Sequence, residues 1–140
     1  SSCGPGWTQA GKKCFKLIAA PNTWSVLDKI CSYEGSEFAS ISSAAENEVI
    51  RSEKNRLIEA VVFPSSGLAG GREIYIGGLS YALGPWSWAD RSPFGRYRNW
   101  ATGFEPAISP YKPCIKMNSS GKWFNNCCRV PPAAGVCSKN

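Results

Sequence analysis

The stretch Cys114 to Cys137, CIKMNSSGKWFNNCCRVPPAAGVC, decides how this chain is read. It holds four of the seven cysteines, the triplet Gly121-Lys122-Trp123, a sequon at Asn118, and the adjacent asparagines Asn125 and Asn126. Ile115-Lys116-Met117 and Lys122-Trp123-Phe124 flank the turn residues Asn118 to Gly121, which predicts a hairpin. Ala134 to Cys137 predicts a closing strand. A strand-rich core is locked here, and a functional site belongs close to it.

Outward from this stretch, composition sets the class. The chain has 140 residues, about 43% apolar and 12% aromatic, a size suited to one domain over residues 1–140 with a real core. Ten prolines and fourteen glycines imply many turns. Seven cysteines at these spacings point to disulfides formed in an oxidising compartment, hence a secreted or extracellular protein. The opening Ser1-Ser2-Cys3 fits a processed chain. Histidine is absent, and no cysteine pair has the two-residue gap of a zinc ribbon. The longest apolar run, Leu57 to Phe63, is broken by Glu59 and stops at Pro64, far short of the roughly 20 residues that span a membrane. Net charge is +6, with Arg91, Arg96, Arg98, Lys112, Lys116, Lys122 and Arg129 concentrated late. Such a balance serves solubility and favours anionic partners. No nucleic-acid motif accompanies it, so nucleic acid is not an expected partner.

Before the deciding stretch the elements run in order. Cys3 and Cys14 bracket a short loop, and Phe15 to Ile18 predicts a strand ended by Pro21-Asn22-Thr23. Thr23 is placed to cap a helix from Trp24 to about Glu34, with Trp24, Leu27, Ile30 and Cys31 on its buried face and Gly35 at its end. Glu37 to Ser42 alternates with period two and predicts a short strand. Ser43 and Glu46 form a capping-box pattern for a second helix reaching Arg56 and extending toward Val61, burying Val49, Ile50, Leu57 and Ile58. Pro64 to Gly71 reads as a flexible loop, Glu73 to Leu79 and Trp86 to Ala89 as strands. Arg91 to Pro113 is long and aperiodic, yet rich in aromatic residues, which predicts an ordered functional loop.

Taken in this order, the motifs resemble the C-type lectin-like domain, in its long form, across nearly the whole chain. Cys3-Gly4-Pro5-Gly6-Trp7 with Cys14 is similar to the N-terminal hairpin of that family. Thr23-Trp24-Ser25 leading to Cys31 is similar to its first helix, and Phe38-Ala39-Ser40-Ile41 and Glu46-Asn47-Glu48 to the elements that follow. Tyr75-Ile76-Gly77-Gly78-Leu79, Trp86-Ser87-Trp88-Ala89-Asp90, Glu105-Pro106, Gly121-Lys122-Trp123 and Val136-Cys137 complete the pattern. The Lys-Trp-Phe-Asn-Asn-Cys-Cys ending also resembles secreted lectin-like proteins of nematodes. The resemblance implies an α+β fold of two helices, two small antiparallel sheets and a long irregular loop. It also implies three bridges, Cys3–Cys14, Cys31–Cys137 and Cys114–Cys128. Cys127 is then left over, and three fates stay open: it is buried and inert, it exchanges roles with Cys128, or it joins a second chain in a disulfide-linked dimer.

In sugar-binding members of that family one calcium is held by side-chain oxygens from a Glu-Pro-Asn or Gln-Pro-Asp loop, a Glu two residues before the third-bridge cysteine, and Trp-Asn-Asp. Calcium takes six to eight oxygens, several of them anionic. Here the loop reads Glu105-Pro106-Ala107, Lys112 stands two residues before Cys114, and Phe124-Asn125 follows Trp123. One carboxylate of three survives, beside a cation. Glu105 is therefore read as a structural remnant paired with Lys112, calcium is disfavoured as a cofactor, and Pro106 is a candidate for the family's cis bond.

The sequence thus predicts a non-catalytic recognition module, independent of calcium. It would bind a protein or glycan through the long loop, with Arg96, Tyr97, Arg98, Phe104, Glu105, Tyr111, Lys112, Asn125 and Asn126 as candidate contacts and Phe94 as a further exposed anchor. Trp86, Trp88, Trp100 and Trp123 are assigned to the core. The alternative is a lectin, either calcium-dependent with a degenerate site or gripping sulfated glycans through its basic residues. An enzyme is not expected, since without histidine there is no Ser-His or Cys-His pair. Asn118 is a candidate glycosylation site.

Overall fold

The computed structural model describes residues 3–60 and 73–140, with only the backbone of the helix over 58–60. The loop expected at Pro64 to Gly71, the helix end toward Val61 and the side chain of Ile58 lie outside the described residues.

Among the described residues eight strands and two helices follow one another as β1 (Thr8–Ala10), β2 (Lys13–Asn22), α1 (Trp24–Tyr33), β3 (Glu37–Phe38), α2 (Ala44–Ala60), β4 (Ile74–Ser80), β5 (Trp86–Trp88), β6 (Cys114–Met117), β7 (Trp123–Asn126) and β8 (Ala133–Lys139). The sheet order is β1-β2-β8-β4-β6-β7, with β3 on β8 and β5 on β4. Sequence reading expected two small antiparallel sheets. The structure fuses them, because β4 and β8 pair in parallel through Ile74–Ala134 and Tyr75–Gly135 while every other strand pair is antiparallel.

Local chemistry explains the helices. Thr23 accepts a hydrogen bond from the Val26 amide at 3.4 Å, and Gly35, at φ +72°, takes the left-handed turn beyond the last helical residues. Trp24, Leu27 and Cys31 are buried as their spacing predicts, while Ile30 is half-buried. Ser43 Oγ accepts from the Glu46 amide at 3.2 Å, but the Glu46 carboxylate reaches back one residue further than a capping box requires, to the Ser42 amide at 2.9 Å. On α2, Ile50 is buried and Val49 and Leu57 partly so. Lys54 is unexpectedly buried there too, its ammonium donating to Asn55 Oδ1 at 2.7 Å.

The strand expected over Glu37 to Ser42 is only two residues long. Beyond Phe38 the Ala39 amide still donates to Val136 O of β8 at 3.0 Å, but Ala39 O turns to the Gly77 amide at 2.7 Å and Ser40 O to the Lys13 ammonium at 3.3 Å. The hairpin of β6 and β7 runs in register from Cys114–Asn126 to Met117–Trp123. Bridges Cys3–Cys14, Cys31–Cys137 and Cys114–Cys128 tie the N-terminal hairpin, α1 to β8, and β6 to the segment after β7. Cys127 is free and half-buried.

Candidate functional site

The segment from Arg91 to Pro113 has no strand of its own. It is held by a floor of four tryptophans, Trp86, Trp88, Trp100 and Trp123, each no more than 6% exposed. Trp123 meets Trp88 and Trp100 edge-on at 5.5 and 5.7 Å between ring centroids, an arrangement that ring quadrupoles favour. Trp123 is also hydrogen-bonded on both sides. Its amide donates to Asn99 O at 2.8 Å, its carbonyl accepts from the Ala101 amide at 2.7 Å, and its indole N–H donates to Asn47 Oδ1 at 2.8 Å. The Gly121 carbonyl receives the side-chain amides of Asn47 at 3.0 Å and Asn99 at 2.7 Å. One turn residue thus joins α2, the long segment and the β6–β7 hairpin.

Several candidate contacts belong to this support. Phe94 stacks on Trp88 at 4.6 Å, and Tyr97 lies edge-on to Trp123 at 5.6 Å. Both are half-buried, which corrects the expectation of exposed anchors; the tryptophan floor claims their faces. Burial holds the Tyr97 phenol above its ordinary pKa, with the Glu48 charge adding to the effect. Asn125 donates to Lys112 O at 3.2 Å, and Asn126 Oδ1 is buried without a hydrogen-bond partner among the described residues. Phe104 and Tyr111 do face solvent, as do Arg96 and Lys112. Lys116, counted among the basic residues, does not. It is fully buried and donates to Pro131 O at 2.9 Å.

Glu105 has a different partner from the one expected. Its carboxylate accepts from Arg98 Nη1 at 2.9 Å, rather than from Lys112. The Arg98 guanidinium is fixed in its own turn by Gly95 O at 3.0 Å and Phe94 O at 3.3 Å, and lies 4.4 Å over the Phe94 ring. Those contacts hold the planar fork in the orientation in which it meets Glu105. The expected cis bond is also elsewhere, at Val130–Pro131 and not before Pro106. Asn118 is half-buried and its Oδ1 closes the hairpin turn, accepting from the amides of Ser120 and Lys122 at 2.9 and 3.0 Å.

The family's calcium chemistry does not fit these residues. Ala107 offers no side-chain oxygen, Lys112 adds a positive charge, and the remaining carboxylate, Glu105, is committed to an arginine. Asn125 supplies at most a neutral oxygen. Calcium requires several anionic oxygens converging on one point.

Two helices on a disulfide-locked sheet, carrying a long segment pinned to tryptophans, define a scaffold of the lectin-like class. The family model for the Lectin C-type domain matches residues 20–139, and the chain belongs to that family, one of binding domains. It is 30% identical to galactose-specific lectin nattectin of Thalassophryne nattereri over 141 residues, covering 100% of this chain and 82% of that protein. It is 31% identical to the type-2 ice-structuring protein of Brachyopsis segaliensis, covering 98% of this chain and 72% of that protein. Among solved structures, a calcium-independent type II antifreeze protein superposes with a TM-score of 0.77 at 28% identity, covering 98% of this chain and 93% of the other. These relatives are fish proteins, and they give the nematode resemblance no support. No helix among the described residues is long and apolar enough to cross a membrane.

Sequence reading missed three features of this region. Asn47 and Asn99 converge on Gly121 from residues 74 and 22 positions away, which no local pattern signals. The Arg98–Glu105 pair left only the weak signal of opposite charges within one loop. The third is the Tyr81–Leu83 turn, whose Ala82 and Leu83 hold positive φ angles without a glycine or asparagine to mark them.

Proposed function

We propose that this chain is a secreted recognition module that works without calcium and engages a protein ligand through the exposed part of Arg91 to Pro113. The observation that carries this reading is the Arg98–Glu105 pair. It takes the single carboxylate left at the family's calcium position and uses it to brace the loop. Phe104, Tyr111, Arg96 and Lys112 then project from a braced segment, and such pre-ordering lowers the entropic cost of binding. The calcium-independent antifreeze structure is a precedent for this fold working without the ion. A disulfide-linked pair of chains through Cys127 belongs to the same proposal, and a non-reducing gel separates it from the monomer. Glycosylation at Asn118 stays with it as well, read by a mass shift on enzymatic deglycosylation.

The test is the melting temperature in millimolar calcium against chelator. A ligand bound only by the native state stabilises it by RT ln(1 + [L]/Kd), about 2.7 kcal/mol at a hundredfold excess over Kd. We expect superimposable melts. An upward shift in calcium overturns the reading and returns the site to the sugar-binding members of the family.

A second reading, binding of sulfated glycans, draws on Arg91, Arg96, Lys112 and Arg129, which are exposed and lack an ion pair among the described residues. Retention on immobilised heparin at physiological salt would favour it, since contacts of this kind are screened over about 8 Å.

A further inference from the structure

The residues Tyr81-Ala82-Leu83-Gly84-Pro85 join β4 to β5 and lie outside the long segment. Ala82 and Leu83 hold left-handed backbone angles, φ 51° and 63°, a region that glycine and asparagine enter far more readily than leucine. This strained turn displays its side chains. Tyr81 is 78% exposed and Leu83 62%.

The turn is stitched to the far half of the long segment at both of its ends. The Ser80 amide donates to Pro113 O at 2.7 Å, and the Trp86 indole donates to Pro106 O at 3.1 Å. Ser80 Oγ closes the turn onto Gly84 O at 2.6 Å. Between those two anchors the long segment presents Ile108 and Tyr111, 36% and 81% exposed, and just before the first it presents Phe104, 70% exposed. Of eight exposed large hydrophobic residues among the described ones, five therefore belong to two segments stapled together. At 150–250 Å² per aromatic side chain they show on the order of 600 Å² to solvent. That is the upper end for a patch on a typical monomer and close to one partner's share of a standard interface.

We propose that Tyr81 and Leu83 extend the Phe104–Tyr111 surface into one composite docking site for a protein partner whose apolar side chains are ringed by carboxylates. This rests on the reading proposed above and names the partner class for the same site. Charge selects the partner. The stretches 80–86 and 104–113 contain one acid, Glu105, which Arg98 neutralises, while Lys112 is exposed and has no ion pair among the described residues. A second copy of this chain carries the same +6 charge and is repelled. Fixed hydrogen-bond staples at both ends, one from the Ser80 amide and one from the Trp86 indole, suit a partner of complementary shape more than a fluid lipid surface.

The test selects binders of the intact chain from a random peptide library displayed on phage, and measures the dominant peptide, synthesised, against variants. We expect that peptide to combine aromatic or aliphatic residues with Asp or Glu. Leu83→Asn, Phe104→Ala and Tyr111→Ala should each weaken it about tenfold, as interface anchors do, with Tyr33→Ala as an exposed control without effect. Asparagine suits the left-handed angle, so a loss in Leu83→Asn reports the missing side chain and not a collapsed turn; an unchanged melting temperature checks this. Weakening by Phe104→Ala with none by Leu83→Asn overturns the composite site and leaves the loop reading standing. Indifference to both variants removes both readings. Binding to phosphatidylcholine–phosphatidylserine vesicles that Leu83→Asn abolishes, with no acidic peptide selected, overturns the proposal in favour of lipid. A concentration-dependent dimer that Leu83→Asn dissociates overturns it in favour of self-association.

Discussion

Tyr75, Lys116 and Cys127 bear on one another's titration. Tyr75 is fully buried and its hydroxyl donates to Cys127 O at 2.6 Å. Burial pushes its phenol up to about 12, with the charges of Cys127 and Glu73 adding to the rise. Lys116 lies 4.7 Å over the Tyr75 ring, and burial lowers its pKa against the opposing pull of Glu73 at 3.9 Å. The Cys127 thiol is lowered chiefly by the backbone amides of Arg129 and Val130. The signs differ. Below pH 10 Tyr75 is protonated whether folded or unfolded. Between about 10 and about 12 the unfolded chain loses the proton first, so stability falls as pH rises, by roughly 2–3 kcal/mol in all. Lys116 acts oppositely between its lowered pKa and the ordinary value, where the unfolded chain binds more protons. Tyr75→Phe should therefore cost about 1 kcal/mol near neutrality, for the lost hydrogen bond, and flatten the decline above pH 10. Urea unfolding of both proteins with Cys127 alkylated would decide it. Parallel declines would show that Tyr75 is not the group responsible.

At the scale of the element, β4 shows why a sequence motif can be legible while its cause is not. Gly77-Gly78 sits where the family's signature strand is expected, and the sequence alone marks both glycines equally. The structure separates them. A Cβ on Gly77 would lie 2.5 Å from Phe38 O and 2.6 Å from Ala39 O, both rigid backbone atoms. A Cβ on Gly78 would meet Ile115 Cδ1 at 2.4 Å, the end of a side chain that can rotate. Gly77→Ala should cost about 3 kcal/mol or more and Gly78→Ala about half of that, measured by chemical denaturation. Equal losses would mean that the β3 backbone yields as readily as a side chain. The same division runs through the whole reading. Helix α1, its Thr23 cap and the β6–β7 hairpin were legible because their causes lie within a few residues. The short β3, the buried Lys54 and the Asn47–Gly121–Asn99 junction were not, since each depends on a partner brought in by the fold. At the candidate site, sequence named the exposed Phe104 and Tyr111 correctly as surface residues but misjudged Phe94 and Tyr97, because a loop without period gives no rule for which aromatic faces inward.

For the whole molecule, the bridges differ in what they constrain. Cys31–Cys137 joins residues 106 apart, with both cysteines fully buried, and fixes α1 to β8, the strand that pairs with β2, β3 and β4. Cys3–Cys14 spans only 11 residues and restrains one hairpin. Restricting the unfolded chain is worth about 4.7 kcal/mol for a loop of about 100 residues and about 3 kcal/mol for one of about 15. The long bridge also holds the molecule's two halves in register. With β8 displaced, the parallel Ile74–Ala134 contact that fuses the sheets is lost, and β4 no longer presents the Tyr81–Leu83 turn to the long segment. Cys31→Ala with Cys137→Ala should therefore destabilise the chain by about 4–5 kcal/mol and expose the tryptophan floor, seen as a red shift in indole fluorescence. Cys3→Ala with Cys14→Ala should cost about 2–3 kcal/mol and confine any change in indole emission to Trp7, which lies inside the released loop, because β2 and β8 separate β1 from β4 and the floor strand β5 paired to it. Urea titrations of both double variants, followed by fluorescence, measure the two effects together. A long-bridge variant no less stable than the short-bridge one would mean that the β2–β8 ladder, not the covalent link, carries the register of the two halves.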